Sequence, residues 1–80
     1  MTDPADVQLC APIVANVWQL RVSAGDFVLP GTVVAVLESM KMEIPVEAAS
    51  AGVIVEVPVA EGQIVQEGDP VVIVRTDPAS

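Results

Sequence analysis

The sequence predicts an all-β protein: a flattened β-barrel or sandwich of two four-stranded antiparallel sheets with internal pseudo-two-fold symmetry. Three observations lead there. The 80 residues are 52% hydrophobic, and the apolar set is dominated by 17 valines and five isoleucines, with Trp18 and Phe27 the only aromatics. Branched aliphatic side chains pack well on a pleated sheet and lose rotamer freedom in a helix. Seven prolines, from Pro4 to Pro78, leave few windows for an unbroken helix. The chain also repeats itself at an offset of 37 residues: Trp18 to Ser39 lies over Val55 to Thr76, matching Val22 with Val59, Gly25 with Gly62, Val28 with Val65, Gly31 with Gly68 and Val34 with Val71.

Each half reads as two strands, a compact glycine-bounded turn with a short strand, and a last strand. The expected strands are 7–12, 14–22, 27–29 and 33–38 in the first half, and 42–47, 53–59, 64–66 and 71–76 in the second. Period-two alternation marks the second strand of each half, where Trp18, Leu20 and Val22 correspond to Val55, Val57 and Val59. Gly25 and Gly31, like Gly62 and Gly68, bound a tight reversal that calls for positive φ. The two four-strand halves are expected to pack face to face. With two copies only, the repeat makes one pseudo-symmetric domain over residues 1–80, its core about 7–76 between short polar tails. A chain of this length buries only about two-thirds of its unfolded surface, so its core must be efficient.

Composition excludes several functions. The net charge is −8, from 11 acids against Arg21, Lys41 and Arg75, which opposes binding to nucleic acid or to an anionic membrane. It suits either solubility or attraction to partners with basic grooves. There is no histidine, and Cys10 is the only cysteine. A Ser-His or Cys-His catalytic arrangement, a zinc site and an intrachain disulfide are thereby ruled out. Met1 to Asp6 is acidic with no apolar stretch behind it, unlike a signal peptide, and no apolar run is long enough for a membrane-spanning helix. The expected location is the cytoplasm.

Lys41, the single lysine, falls at the junction of the two copies. Ser39-Met40-Lys41 is the expected hairpin turn between the strands on either side. It lacks the Gly, Asn or Asp usual in a two-residue hairpin, so either the turn is longer or its residues serve another purpose. Met40 and Met42 bracket the lysine and place soft apolar surface at the tip, with Glu38 and Glu43 just outside them. A lone exposed lysine is ordinarily a solvated charge; this one is set apart by its place in the repeat and its flanks.

Glu38-Ser39-Met40-Lys41-Met42-Glu43 resembles the biotinyl-lysine motif of biotin carboxyl carrier domains, whose core is Met-Lys-Met. The duplicated halves, the Gly25…Gly31 and Gly62…Gly68 turns and the central lysine are similar to the biotinyl/lipoyl attachment family over roughly Val7 to Thr76. Ile44-Pro45-Val46 and Ala15-Asn16-Val17-Trp18 are similar to short stand-alone members. The chain departs from many carriers at Ala11 to Asn16, which lacks a second proline and a glycine, and at Ser39, where alanine is common. It is also too short for the protruding loop of some carriers.

The resemblance implies covalent biotin on Lys41, attached by a biotin protein ligase, with Met40 and Met42 as recognition flanks and Glu38, Ser39 and Glu43 completing the motif. The lysine amine attacks a biotinyl adenylate, and its deprotonation is left to the ligase. The arm then carries activated CO₂ from a biotin carboxylase to a carboxyltransferase, so the chain is a non-catalytic carrier, monomeric when isolated. Lipoate is the alternative cofactor; Met40 stands where lipoyl domains usually have an acid, which favours biotin. An unmodified β-sandwich interaction module is the reading from another class. Met1 at the start and Asp77 to Ser80 at the end suggest a free-standing carrier.

Overall fold

The computed structural model describes residues 6–76, and the expected polar tails at 1–5 and 77–80 lie outside them. Eight strands follow in order: β1 Asp6–Cys10, β2 Ala15–Leu20, β3 Phe27–Val28, β4 Val33–Ser39, β5 Met42–Glu47, β6 Gly52–Glu56, β7 Ile64–Val65 and β8 Pro70–Thr76. They form two antiparallel sheets, ordered β1-β8-β6-β3 and β5-β4-β2-β7.

The expectation that each half forms its own sheet is corrected here. Each sheet takes two strands from each half. Replacing every strand by its repeat counterpart turns the first sheet order into the second, so the pseudo-two-fold relates the sheets while the halves interleave. The physical reason lies in the backbone. Gly25 N–H donates to Ile54 O (2.8 Å) and Ile54 N–H to Asp26 O (2.8 Å). In the counterpart set, Gly62 N–H donates to Val17 O (2.7 Å) and Val17 N–H to Gln63 O (2.8 Å). The glycine turn of each half therefore bonds a strand of the other, and neither half satisfies all of its own donors. Both turns are closed from within: Ser23 N–H donates to Asp26 Oδ2 (2.8 Å), and Ala60 N–H to Gln63 Oε1 (3.1 Å). The four turn glycines have φ between 86° and 98°, as their spacing predicts.

The core is built of symmetry mates. Val17 and Ile54, Val28 and Val65, Val34 and Val71, and Leu37 and Val74 are each at most 3% exposed. No described polar side chain is buried among them, so the sheets meet through apolar contact alone. β4 is buried over Val34–Leu37, giving the hairpin that follows it a rigid base.

Several strands are shorter than expected. The expected alternation of Trp18, Leu20 and Val22, and of Val55, Val57 and Val59, is interrupted by a β-bulge after Val17 and after Ile54, so Val17 is buried and Trp18 exposed. Leu20, Val22, Val57 and Val59 still pack against the core, but the ladders end at Leu20 and Glu56. Arg21 N–H still reaches Val34 O (2.9 Å); Pro58, at the matching position, has no N–H to give. The first strand stops at Cys10 rather than residue 12, where Pro12 also lacks a donor. Three of the four sheet edges, β3, β5 and β7, are guarded. β3 and β7 are two residues long. In β5, Pro45 faces Val36 three pairs beyond the Ser39–Met42 turn closure, a non-hydrogen-bonded site, so its nitrogen points off the sheet edge and offers no donor.

Gly52 has a separate role. A Cβ there would run into the carbonyl oxygen of Arg75, because β6 and β8 approach closely at that point. Gly52→Ala is expected to destabilise the fold by about 1–3 kcal/mol, read as a lower midpoint in urea unfolding. An unchanged midpoint would refute the close approach.

Candidate functional site

The β4–β5 hairpin carries every residue of the expected motif. Its register pairs Ser39 with Met42, Glu38 with Glu43 and Leu37 with Ile44. The loop is therefore Met40-Lys41 alone. The three-residue turn expected at Ser39-Met40-Lys41 is corrected, since Ser39 belongs to β4 and its pairing with Met42 leaves no room for a longer loop.

A two-residue loop must match the right-handed twist of its strands, and the type I′ turn does so with positive φ at both central positions. Met40 has φ 52° and Lys41 φ 67°, and they are the only non-glycine residues with positive φ among those described. Neither is a residue that adopts this region easily, and a side chain held there costs roughly 1 kcal/mol or more. Of the two explanations for the unusual turn, the short loop leaves the second: Met and Lys stand here for something other than turn chemistry. Sequence reasoning located the tip but not its handedness.

The tip is open. Met40 is 91% exposed and Met42 65%, with Lys41, Glu38 and Glu43 exposed beside them and Ser39 half-buried. Lys41 makes no hydrogen bond or ion pair with another described residue. Its amine is thus presented on a strained two-residue loop, above the fully buried Leu37, between two exposed thioethers. This arrangement suits modification by a partner that closes over the tip. It provides no acid, base or nucleophile constellation, and no group of metal-ligating side chains occurs among the described residues.

One feature was not read from the sequence. Glu38 and Glu43 face each other directly across the two strands. Like charges so placed are mildly destabilising, by a few tenths of a kcal/mol. At the symmetry-related pair in the other sheet, Arg75 Nε donates to Asp6 Oδ1 at 2.9 Å. The 37-residue offset already matches Glu38 with Arg75, but it does not say which residue each one faces.

Comparison with known proteins agrees with this geometry. The family model described as "Biotin-requiring enzyme" matches residues 8–74. The biotin/lipoyl attachment protein of Bacillus subtilis (strain 168) is 52% identical over 54 residues, covering 68% of this chain and 74% of that protein. A biotinylated protein TB7.3 homolog of Mycobacterium leprae (strain TN) is 47% identical over 64 residues, covering 80% of this chain and 90% of that one. Among solved structures, a single-chain, multi-domain long-chain acyl-CoA carboxylase superposes with a TM-score of 0.88 at 29% identity. That match covers 99% of this chain but 8% of the carboxylase.

The strain at the tip is testable without any partner. Asn tolerates positive φ, so Met40→Asn should stabilise the chain by about 0.5–1 kcal/mol, seen as a raised thermal midpoint. A lowered midpoint would show that Met40 makes a contact worth more than the strain.

Proposed function

The chain belongs to the biotin/lipoyl attachment family, and from that premise we propose that it is a biotin carboxyl carrier modified on Lys41. The observation that carries this reading is the tip itself: the only lysine, exposed, held at positive φ between exposed Met40 and Met42 on a two-residue loop. The residues fit a covalently attached group, because the amine is accessible and its neighbours leave space around it. When bound, biotin supplies a ring nitrogen that accepts and releases CO₂.

The chain's own work is positional. The hairpin offers the Lys41 amine to a biotin protein ligase with little ordering cost, since β4 beneath it is buried and the loop has no spare residue to flex. A tethered arm then raises the effective concentration of the cofactor at each enzyme visited, a biotin carboxylase and a carboxyltransferase. The carrier must leave each one, and an acidic surface speeds encounter without a tight interface. The guarded sheet edges favour a monomer in isolation. Met40 directly before the lysine, and a relative that is itself named as a biotinylated protein, support biotin over lipoate. Lipoate, as in carriers of 2-oxo acid dehydrogenases or glycine cleavage, is the second reading, kept by the shared fold. A cytoplasmic location is part of the proposal, as the compartment of such carriers.

Intact mass and peptide mapping of the protein from its native host should show a biotinyl adduct on Lys41. A lipoyl adduct would select the second reading, and an unmodified lysine in a host with active ligases would sink both. Lys41→Arg should abolish labelling while leaving the thermal midpoint within a degree or so, because the residue is exposed. Met40→Asp with Met42→Ala should abolish biotinylation or turn it toward lipoylation; unchanged labelling would remove the methionines from recognition.

A further inference from the structure

The described chain uses methionine in one place only. Its core is built of Val, Leu, Ile and Ala, without the methionine that commonly fills gaps between such side chains. The two described methionines, Met40 and Met42, stand immediately before and after Lys41. Met40 is 91% exposed, more than any other described large apolar side chain, and Met42 is 65% exposed. Met42 faces Ser39 across the hairpin, and the loop closed by that pair has no spare residue. With Met40 held at φ 52° on this loop, the backbone keeps its thioether at the tip.

An exposed thioether is a two-electron reductant. It has no proton to lose, so unlike a thiol it reacts without first ionising. A hydroperoxide is the matching oxidant. The sulfur lone pair attacks one peroxide oxygen, the O–O bond breaks and an S–O bond forms. The proton carried over on that oxygen passes to the departing one, which leaves as water or an alcohol. Sulfur is oxidised and the peroxide reduced by two electrons, and a flexible apolar side chain becomes a polar, chiral sulfoxide. The other exposed sulfur, Cys10, ends β1 in the opposite sheet.

We propose that Met40 and Met42 are a reversible oxidation site for hydroperoxides, and that their sulfoxides stop the biotin protein ligase from accepting Lys41. The inference rests on the reading of Lys41 as a biotin site with the methionines as its recognition flanks. A partner that closes over the tip takes both thioethers out of water. A sulfoxide oxygen in the same contact is an acceptor stripped of its water with no donor placed to meet it, which weakens binding. The fold is untouched, because neither side chain belongs to the core. That separates this tip from the ordinary result of methionine oxidation, which is disrupted packing. An amide already formed on Lys41 survives the oxidation, so the switch acts on the chain before biotin is attached. Sulfoxide reductases, one for each epimer, return the thioethers and reopen the site.

The test uses the unlabelled chain and hydrogen peroxide, followed by dithiothreitol, which reverses sulfenic acid or disulfide at Cys10 and leaves methionine sulfoxide in place. Peptide mass should show one added oxygen on each methionine, with Met40 reacting faster than Met42. The thermal midpoint should stay within about a degree of the untreated chain, as for other surface changes. Labelling by the host's biotin protein ligase should slow about tenfold or more, the effect of losing one good apolar contact, and treatment with both sulfoxide reductases should restore it. A chain carrying Met40→Leu and Met42→Leu, whatever its starting rate, should be labelled equally before and after peroxide. Unchanged labelling of a chain with both sulfoxides confirmed overturns the proposal and leaves the Lys41 reading standing. A loss that dithiothreitol alone repairs, or one shared by the leucine chain, overturns it by giving the effect to Cys10. A lowered thermal midpoint overturns it by giving the effect to the fold. No labelling of the untreated chain sinks the Lys41 reading and this inference together.

Discussion

Everything in this fold depends on an exchange of backbone hydrogen bonds between two halves that cannot close alone. The glycine turn of the first half bonds Ile54, and that of the second bonds Val17. A second exchange runs alongside: Ala11 N–H donates to Asp69 O and Gly68 N–H to Ala11 O, while Ala48 N–H donates to Thr32 O and Gly31 N–H to Ala48 O. Separated, each half would leave these donors and acceptors without partners, at a cost comparable to a lost hydrogen bond for each one buried. The two halves therefore form as a unit, through contacts distant in sequence, and an 80-residue chain with two aromatics acquires a cooperative core.

Symmetry explains how valine suffices for that core. Val17, Val28 and Val34 meet Ile54, Val65 and Val71 around the pseudo-axis, and each is buried to 3% exposure or less. Small branched side chains repeated at equivalent places fill a narrow interior without a large ring. The polar turn residues Asp26, Thr32, Gln63 and Asp69 repeat as well, each accepting a backbone N–H three residues before it. Such repetition is structural.

The proposed site lies where the repetition fails. The β4–β5 hairpin stands at the seam between the copies, so the repeat imposes no partner sequence on Met40 and Lys41 within the described chain. These two hold positive φ without the residues that adopt it easily. Their local cost is tolerated because β4 below is buried and β5 is pinned to it over six register pairs. A strained tip on a rigid base keeps its direction, which is what the proposed attachment of a swinging arm requires.

Much of this was legible in the residues. Valine content, scattered proline and the 37-residue offset determine an all-β, pseudo-symmetric domain, and the strand at 42–47 is found as expected. The single lysine at the seam, with its methionines, marks the proposed site. Those features are local or periodic, so a linear sequence displays them. Three others required the folded chain. The halves interleave rather than stack, because their unsatisfied N–H groups find partners only across the axis. Ser39 belongs to a strand, because its pairing with Met42 decides the loop length. Glu38 faces Glu43 while Arg75 faces Asp6, because register is set by which residues the two sheets bury against each other, and that is decided only when both halves are in place.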